Sequence, residues 1–271
     1  SCTPIEQDIY LGQGIMSGEV TSTSVILQSR LTAYDTLMDG DIEGKFGVAR
    51  FEISENASFE DALNSDYVDA DPENDFIVKK KIKGLKAGTK YFYRLRFGKD
   101  INALFTSETG SFKTLPGVDS DAKVSFAVVT GMNYYFFHYG KYDRATAYSG
   151  SDKGLGYPAL ESIKKLNPDY FIGTGDNVYF DHPNERGFKS AQKRGKKPHP
   201  AGYEGKEVTD EKGMRKKYHE QFMQPRFQDL FSTVGTYWEK DDHDYRFNDA
   251  DPFDEFPISH EMGIKNFQEQ L

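Results

Sequence analysis

The sequence is nearly free of cysteine: Cys2 is the only one among 271 residues, so no intramolecular disulfide can form. It also has no apolar run of about 18 residues, so no transmembrane helix is predicted. Positive charge is not in excess either. The formal net charge of −9 argues against a general nucleic-acid-binding protein, because phosphate backbones select basic surfaces. An acidic protein can nevertheless bind phosphate where metal ions supply the positive charge.

Apolar residues, in contrast, are plentiful. Hydrophobic residues make up 37% of the chain and aromatic residues 14%, which is enough for packed cores and excludes a disordered protein. At roughly 100–200 residues per domain, the length allows two domains.

The most informative segment covers residues 170–179, YFIGTGDNVY. A short apolar run breaks at Gly173 and delivers Asp176, as happens at the C-terminal end of a buried strand in α/β enzymes, where sites are built. Tyr179 follows closely enough for both side chains to face one pocket. A carboxylate and a phenolic oxygen suit a hard cation such as Fe(III). The alternative is a turn aspartate beside a half-buried tyrosine.

A second candidate segment covers residues 237–244, YWEKDDHD, and follows another short apolar stretch. Asp241 and Asp242 repel each other unless positive charge holds them, and a metal ion is the usual source. His243 beside them can ligate a metal or donate a proton. An acidic surface turn with a solvated histidine is the alternative. Because the segment lies one α/β crossover after the first, we favour a metal site.

Together the two segments resemble the PhoD-like alkaline phosphatases, a branch of the calcineurin-type metallophosphoesterases. That family carries a GD-x-x-Y strand end and a later DDH-[DE] turn, matched here by residues 175–179 and 241–244. Residues 14–30 resemble the family's opening strands. Residues 214–230 resemble the helix pair that precedes its acidic turn.

The resemblance implies hydrolysis of a phosphate ester by a metal-activated hydroxide, with two metal ions in the site. These would be Fe(III) together with Ca(II), Zn(II) or Mn(II). Asp176 would bridge the two ions, Tyr179 would bind the iron-like ion, and Asp242 would bind the second.

Further site residues are implied around these ligands. His243 would contact the phosphate or protonate the leaving oxygen, and is therefore both a catalytic and a substrate-binding candidate. Asp244 would orient His243 from behind. Asp241 would support the site in the same way or act as an adjacent ligand.

The sequence departs from the family at Gly131, where many members carry a cysteine. Glycine cannot ligate through a side chain, so one metal position loses its expected ligand. Asn133 nearby could ligate through its amide oxygen, hydrogen-bond the phosphate as a substrate-binding residue, or serve only as a turn residue.

Residues 8–116 have an all-β pattern. In one strand Ala49, Phe51 and Ile53 share a face, with the period of two that strands show. The turn at 84–90, followed by tyrosines at a strand start, resembles the tyrosine corner of immunoglobulin-like and fibronectin-like sandwiches. We therefore predict an N-terminal β-sandwich domain that forms a scaffold or one wall of the active-site cleft.

A polar linker at 117–122 separates this part from residues 123–271, where the pattern changes. The run 124–129 predicts a buried strand, and 158–165 predicts a helix whose first turn suits Pro158. The next strand follows at once, so a right-handed crossover and a parallel sheet are predicted. This fits the αββα sandwich that the resemblance implies for a metallophosphoesterase domain.

Two later segments are less specific. The segment 185–206 is long, polar and basic, which fits either a lid over an anionic substrate or a solvated insertion. Thr209 is expected to cap the following helix, and Pro225 begins the next.

The remaining histidines have no motif context and are interpreted as surface or structural residues: His182, His199, His219 and His260. His138 and Trp238 are interpreted mainly as core.

The last predicted helix lies within residues 256–270, yet by resemblance the fold needs later strands that carry further histidine ligands. We therefore expect the remaining part of the same gene product to complete the fold.

Near the N-terminus, Cys2 lies in Ser-Cys-Thr-Pro, which resembles the mature end of a bacterial lipoprotein. An exported protein, in the periplasm or on the cell surface and anchored through Cys2, is expected; an ordinary cysteine is the alternative.

A non-catalytic protein is the competing hypothesis. It would bind phosphate or a polymer at the cell surface and retain the fold with an incomplete metal site. Gly131 and the missing later ligands favour it. The joint presence of Asp176, Tyr179, Asp242 and His243 favours the enzyme.

Overall fold

The computed structural model describes residues 7–141, 147–195 and 207–271. Cys2, His199 and residues 196–206 of the basic segment lie outside the described residues, so the structure does not address the lipid anchor. No helix in the described ranges combines the length and apolar character needed to cross a membrane.

The described part of the chain forms twelve strands and six α-helices. The strands are β1 (Ile15–Gly18), β2 (Ser24–Arg30), β3 (Gly47–Ser54), β4 (Leu63–Asn64), β5 (Val68–Ala70), β6 (Ile77–Lys83), β7 (Lys90–Gly98), β8 (Leu104–Thr106), β9 (Gly110–Lys113), β10 (Phe126–Val129), β11 (Tyr170–Thr174) and β12 (Gly235–Glu239). The helices are α1 (Tyr134–Tyr139), α2 (Pro158–Leu166), α3 (Glu185–Lys193), α4 (Glu211–Phe222), α5 (Pro225–Phe231) and α6 (His260–Gln270).

The strands form two six-stranded sheets. In the first sheet the order is β10-β11-β12-β1-β2-β6; β10, β11, β12 and β1 run parallel to one another, and β2 is antiparallel to β1 and β6. Ser17 of β1 lies opposite Gly235 of β12. An early strand of the chain therefore extends the sheet that carries both motifs. The second sheet has the order β4-β3-β7-β8, with β5 added to β3 and β9 to β7.

The N-terminal strands enclose a common core. Ala49, Phe51 and Ile53 of β3 are fully buried, as their period of two predicts. They belong to the same cluster as Val25 and Leu27 of β2, on the facing sheet.

At the predicted corner, the Tyr91 hydroxyl accepts a hydrogen bond from the Lys86 N–H at 3.0 Å. A bond from a tyrosine hydroxyl to the backbone a few residues upstream also occurs in tyrosine corners.

The crossover between β10 and β11 forms as predicted. Helix α2 begins at Pro158 and ends where Asn167 adopts a left-handed conformation, with φ of 49°. The predicted burial of the strand at 124–129 is wrong, however. Strand β10 lies at the edge of the sheet, and Phe126 and Val128 are 57% and 55% exposed because no described element covers that face.

Helices α4 and α5 follow the predicted pattern, with one correction. The N-cap of α4 is Asp210, whose carboxylate accepts from the Gly213 N–H at 2.8 Å. Thr209 lies one residue too early, because the helix begins at Glu211 and a capping side chain must precede it directly.

A buried charge network joins the sandwich to α4. His219 of α4 has Nδ1 2.7 Å from Asp41 Oδ1 and Nε2 2.6 Å from Asp75 Oδ2. Arg30 of β2 donates to Asp75 from Nη2 at 3.0 Å. Burial would raise the pKa of Asp75, but His219 and Arg30 outweigh it and lower that pKa to about 2. The structural interpretation of His219 is confirmed.

Candidate metal centre

The two acidic motifs meet at the C-terminal edge of the parallel strands. After β11, Gly175 and Asp176 have φ of 96° and 53°, both in the left-handed region. A Cβ at Gly175 would lie 2.5 Å from the Cβ of Asp241. Glycine is therefore needed here both for its backbone conformation and for the close approach of the second turn.

Asp176, Asp242 and His243 form the candidate metal-binding group. Each offers one ligand atom, and these atoms all lie within 4.8 Å of one another. Tyr179 joins them through its hydroxyl, which donates to Asp176 Oδ2 at 3.0 Å. The structure thus brings together the four residues for which the sequence predicts a metal or catalytic role.

The second oxygen of Asp176 is the clearest sign that a cation fits this group. Asp176 Oδ1 is buried and has no hydrogen-bonding partner among the described residues. Burial raises the pKa of Asp176, and the charges of Asp242 and Asp241 add to the effect, against His243 and the Tyr179 hydrogen bond. A cation would compensate both the charge and the unpaired oxygen. Two carboxylates, an imidazole and a phenol suit Fe(III) or a divalent transition metal.

The second turn holds its own carboxylates in place. Asp242 Oδ1 accepts from the His243 N–H at 3.0 Å, and its Oδ2 accepts from the Asp249 N–H. Asp241 Oδ1 accepts from the Asp242 N–H at 2.9 Å. The exposed Asp241 therefore shapes the turn, and it is not a member of the candidate metal-binding group.

Asp244 supports the site differently from the prediction that it orients His243. It is fully buried and accepts from the backbone and side-chain nitrogens of Asn177, at 3.0 and 2.7 Å. Its other oxygen accepts from the Asp241 N–H at 2.7 Å. Asp244 thus ties the two motifs to each other. Burial raises its pKa to about 6.

The residue that orients His243 is Asp181, which the sequence analysis missed. Asp181 Oδ1 lies 2.7 Å from His243 Nδ1, and its Oδ2 accepts from the Asn248 N–H at 3.2 Å. Burial alone would lower the pKa of His243, but the hydrogen bond and charge of Asp181 outweigh it, and the pKa is raised. The available signal was its position two residues after Tyr179.

His182 also lies at the centre, contrary to its interpretation as a surface or structural residue. Its ring is 5.1 Å from that of Tyr179 and 5.3 Å from that of His243, between centroids. Burial, partly opposed by Asp181, lowers the pKa of His182 to about 4. The available signal was an imidazole three residues beyond a predicted ligand.

Asn133 is the N-cap of α1. Of its three interpretations, as a ligand, a phosphate contact or a turn residue, the last describes its local geometry. Its Oδ1 accepts from the Phe136 N–H at 2.9 Å, while Nδ2 lies 2.6 Å from His182 Nδ1. Gly131 has φ of 74°, and a Cβ there would lie 3.6 Å from Tyr179 Oη. Position 131 therefore adjoins the centre, but it contributes no ligand.

Other predicted residues lie elsewhere. Trp238 packs in the core against Phe171, Phe222 and Phe231, as predicted. His138 is partly buried on α1 and contacts Gln224.

The matches to protein families cover both parts of the chain. Residues 4–116 match the N-terminal domain of PhoD-like phosphatases, and residues 126–256 match the PhoD-like phosphatase domain. No curated protein matches the sequence significantly.

Two solved structures share the fold. That of PhoD superposes with a TM-score of 0.70 at 20% identity, over 99% of this chain and 47% of that chain. A purple acid phosphatase from yellow lupin (Lupinus luteus) seeds superposes with a TM-score of 0.51 at 12% identity, over 95% of this chain and 39% of that chain. The chain thus spans about half the length of the PhoD chain.

Proposed function

The chain belongs to the PhoD-like phosphatase family, and on that premise we propose that it is a metal-dependent phosphoric ester hydrolase. The observation that carries the proposal is the buried, unpartnered Oδ1 of Asp176 inside a group with Asp242 and His243. A carboxylate oxygen buried without a partner destabilises a fold, and a bound cation would remove that cost.

Asp176, Tyr179 and Asp242 are the proposed metal ligands, and Fe(III) with a divalent ion fits their oxygen donors. When bound, the metal ions would supply positive charge for the phosphoryl oxygens and lower the pKa of a water molecule. Asp244 keeps the ligands in register, because it binds the turn of Asp176 through Asn177 and the turn of Asp242 through Asp241.

His243 is proposed to act on the substrate. Its Nδ1 is engaged by Asp181, which fixes the ring and leaves Nε2 for a phosphoryl or leaving-group oxygen. The raised pKa of His243 keeps a proton available for the leaving oxygen at higher pH. Phosphate monoesters and phosphate diesters are both candidate substrates.

The remaining sequence predictions extend the proposal. The N-terminal strands are proposed to be an immunoglobulin-like or fibronectin-like sandwich that supports the centre through β1. Export, with a lipid anchor at Cys2, is part of the same hypothesis.

Hydrolysis assays on the full-length, metal-loaded protein test the proposal. An aryl phosphate monoester and an aryl phosphate diester serve as the two substrates. We expect release of the aryl alcohol from at least one of them, and its loss in Asp176→Ala. Asp66→Ala, in an exposed residue of the sandwich, is the matched control and should retain activity.

The non-catalytic alternative rests on Gly131, which offers no ligand at a position adjoining the centre. It predicts binding of inorganic phosphate without turnover of either ester. Turnover in Asp176→Ala equal to that of the parent would contradict the assigned centre.

A further inference from the structure

His182 is held more tightly than a packing role requires. Its ring stacks on that of Phe136, at 4.5 Å between centroids and 26° between planes, and on that of Tyr179, at 5.1 Å and 8°. Buried Lys217 of α4 donates from Nζ to the backbone carbonyl of His182. The two stacked rings orient the imidazole, and the Lys217 side chain of α4 holds the backbone of His182.

The hydrogen bonds of Asn133 determine which ring nitrogen carries the proton. Asn133 Oδ1 accepts from the Phe136 N–H, so the atom 2.6 Å from His182 Nδ1 is the amide nitrogen. An amide nitrogen only donates, so Nδ1 must accept. The imidazole is then neutral, with its proton on Nε2.

The opposite edge of the ring is left for another group. Within the described part of the chain, His182 Nε2 has no hydrogen-bonding partner, and the residue is partly exposed. The ring centroid lies 5.3 Å from that of His243. A positioned N–H donor therefore stands next to the proposed catalytic histidine.

We propose that His182 is a second substrate-contacting histidine, whose Nε2–H donates to a phosphoryl oxygen, and that Asn133 is the positioning residue that sets its tautomer. This inference rests on the proposed function of the same centre. It assigns the two histidines separate tasks. His243, held by Asp181, acts on the leaving oxygen, while His182 binds a non-bridging oxygen without giving up its proton. A hydrogen bond to such a charged oxygen is stronger than one between neutral groups.

The matched variants are His182→Phe and His182→Gln. Phenylalanine preserves the ring stack but has no donor, whereas the glutamine amide can place an N–H where Nε2 was. In the metal-loaded full-length protein, we expect His182→Phe to weaken competitive inhibition by inorganic phosphate by about 10- to 100-fold, the usual effect of losing a hydrogen bond to a charged group. His182→Gln should recover most of that loss. Bound metal should stay unchanged in both, and Tm should fall modestly in His182→Phe, because that variant leaves the Asn133 amide without its acceptor.

A tautomer measurement tests the positioning role without relying on turnover. In protein labelled with 15N-histidine, the His182 signals should show the Nε2–H form. Asn133→Ser keeps an N-cap of similar strength but loses the amide donor, so the Nδ1–H form should appear and phosphate binding should weaken.

The inference would be overturned if inorganic phosphate inhibited His182→Phe as strongly as the parent, or if the parent showed the Nδ1–H tautomer. Either result would leave the hydrolase proposal intact. Absence of ester turnover in the parent would refute the hydrolase proposal instead. Phosphate binding and the tautomer would then still decide the role of His182.

Discussion

His243 Nδ1 lies 2.7 Å from Asp181 Oδ1, and the two residues are 62 positions apart in the chain. The pair resembles the carboxylate–histidine arrangements that fix imidazoles at metal sites. Asp181 orients the ring of His243 and raises its pKa. One substitution at Asp181 should therefore change the pH at which His243 loses its proton.

Replacing Asp181 by asparagine should shift the pH dependence of turnover. Asp181 is what raises the pKa of His243 against the effect of burial, so Asp181→Asn should lower that pKa. The protonated form is then lost at lower pH, and kcat should fall first at the alkaline end of the profile. The measurement is kcat between pH 6 and about 10, the upper limit being near the ordinary tyrosine pKa. If the alkaline fall in kcat occurs at the same pH in the parent and in a variant that binds as much metal, His243 is not the proton donor.

Replacing Asp176 by asparagine should stabilise the metal-free protein. Burial raises the pKa of Asp176, which means that its ionised form destabilises the fold at neutral pH when no cation is bound. Asp176→Asn removes that charge, so the Tm of chelator-treated protein should rise. Added metal should raise the Tm of the parent but not of the variant. If added metal raises the Tm of the variant as much as that of the parent, Asp176 is not a ligand.

Replacing Tyr179 by phenylalanine should abolish any visible colour of the iron-loaded protein. Burial, then the neighbouring Asp176 carboxylate, raises the pKa of Tyr179 well above its usual value. Tyrosinate therefore forms only when a strongly charged cation displaces the proton. Absorption spectra of parent and variant after Fe(III) loading test this. Tyr134→Phe, on α1, is the control and should keep the colour; an unchanged spectrum in Tyr179→Phe would exclude a tyrosinate ligand.

Replacing Asp75 by asparagine should reduce stability above about pH 4 and matter less in acid. The folded-state pKa of about 2 lies below the ordinary 3.8, so the contribution of Asp75 is present at neutral pH and lost as pH falls between these values. The difference corresponds to about 2 kcal/mol of unfolding free energy. Urea unfolding at pH 7 and at pH 3 measures it. Asp66→Asn, in an exposed pair with Lys80, should cause no comparable loss.

The parts of the centre that the sequence predicts are those encoded locally. Asp176 and Tyr179 follow one strand within five residues, and Asp242 with His243 follows another, so apolar runs and turns were enough to find them. Asp181 and His182 lie just beyond the first motif, yet their relevance depends on His243 and Asn133, which are 62 and 49 positions away. No periodicity encodes such contacts.

The fold shows the same division. Period-two burial in β3 and the helix signals at Pro158 and Pro225 are local and were predicted correctly. The exposure of β10 depends on which elements pack against the face of the sheet, and the pairing of β1 with β12 depends on elements far apart in the chain. Neither leaves a pattern in its own segment.

The pairing of β1 with β12 also constrains the order of events during synthesis. Thr236 donates to the carbonyl of Ser17 across 219 positions, so the ribosome delivers β1 long before its neighbour exists. Until then one edge of β1 is an open hydrogen-bonding template, the kind of edge that invites aggregation. The second acidic turn follows β12 directly, so the strand that closes this edge also places Asp242 and His243 beside the first acidic turn.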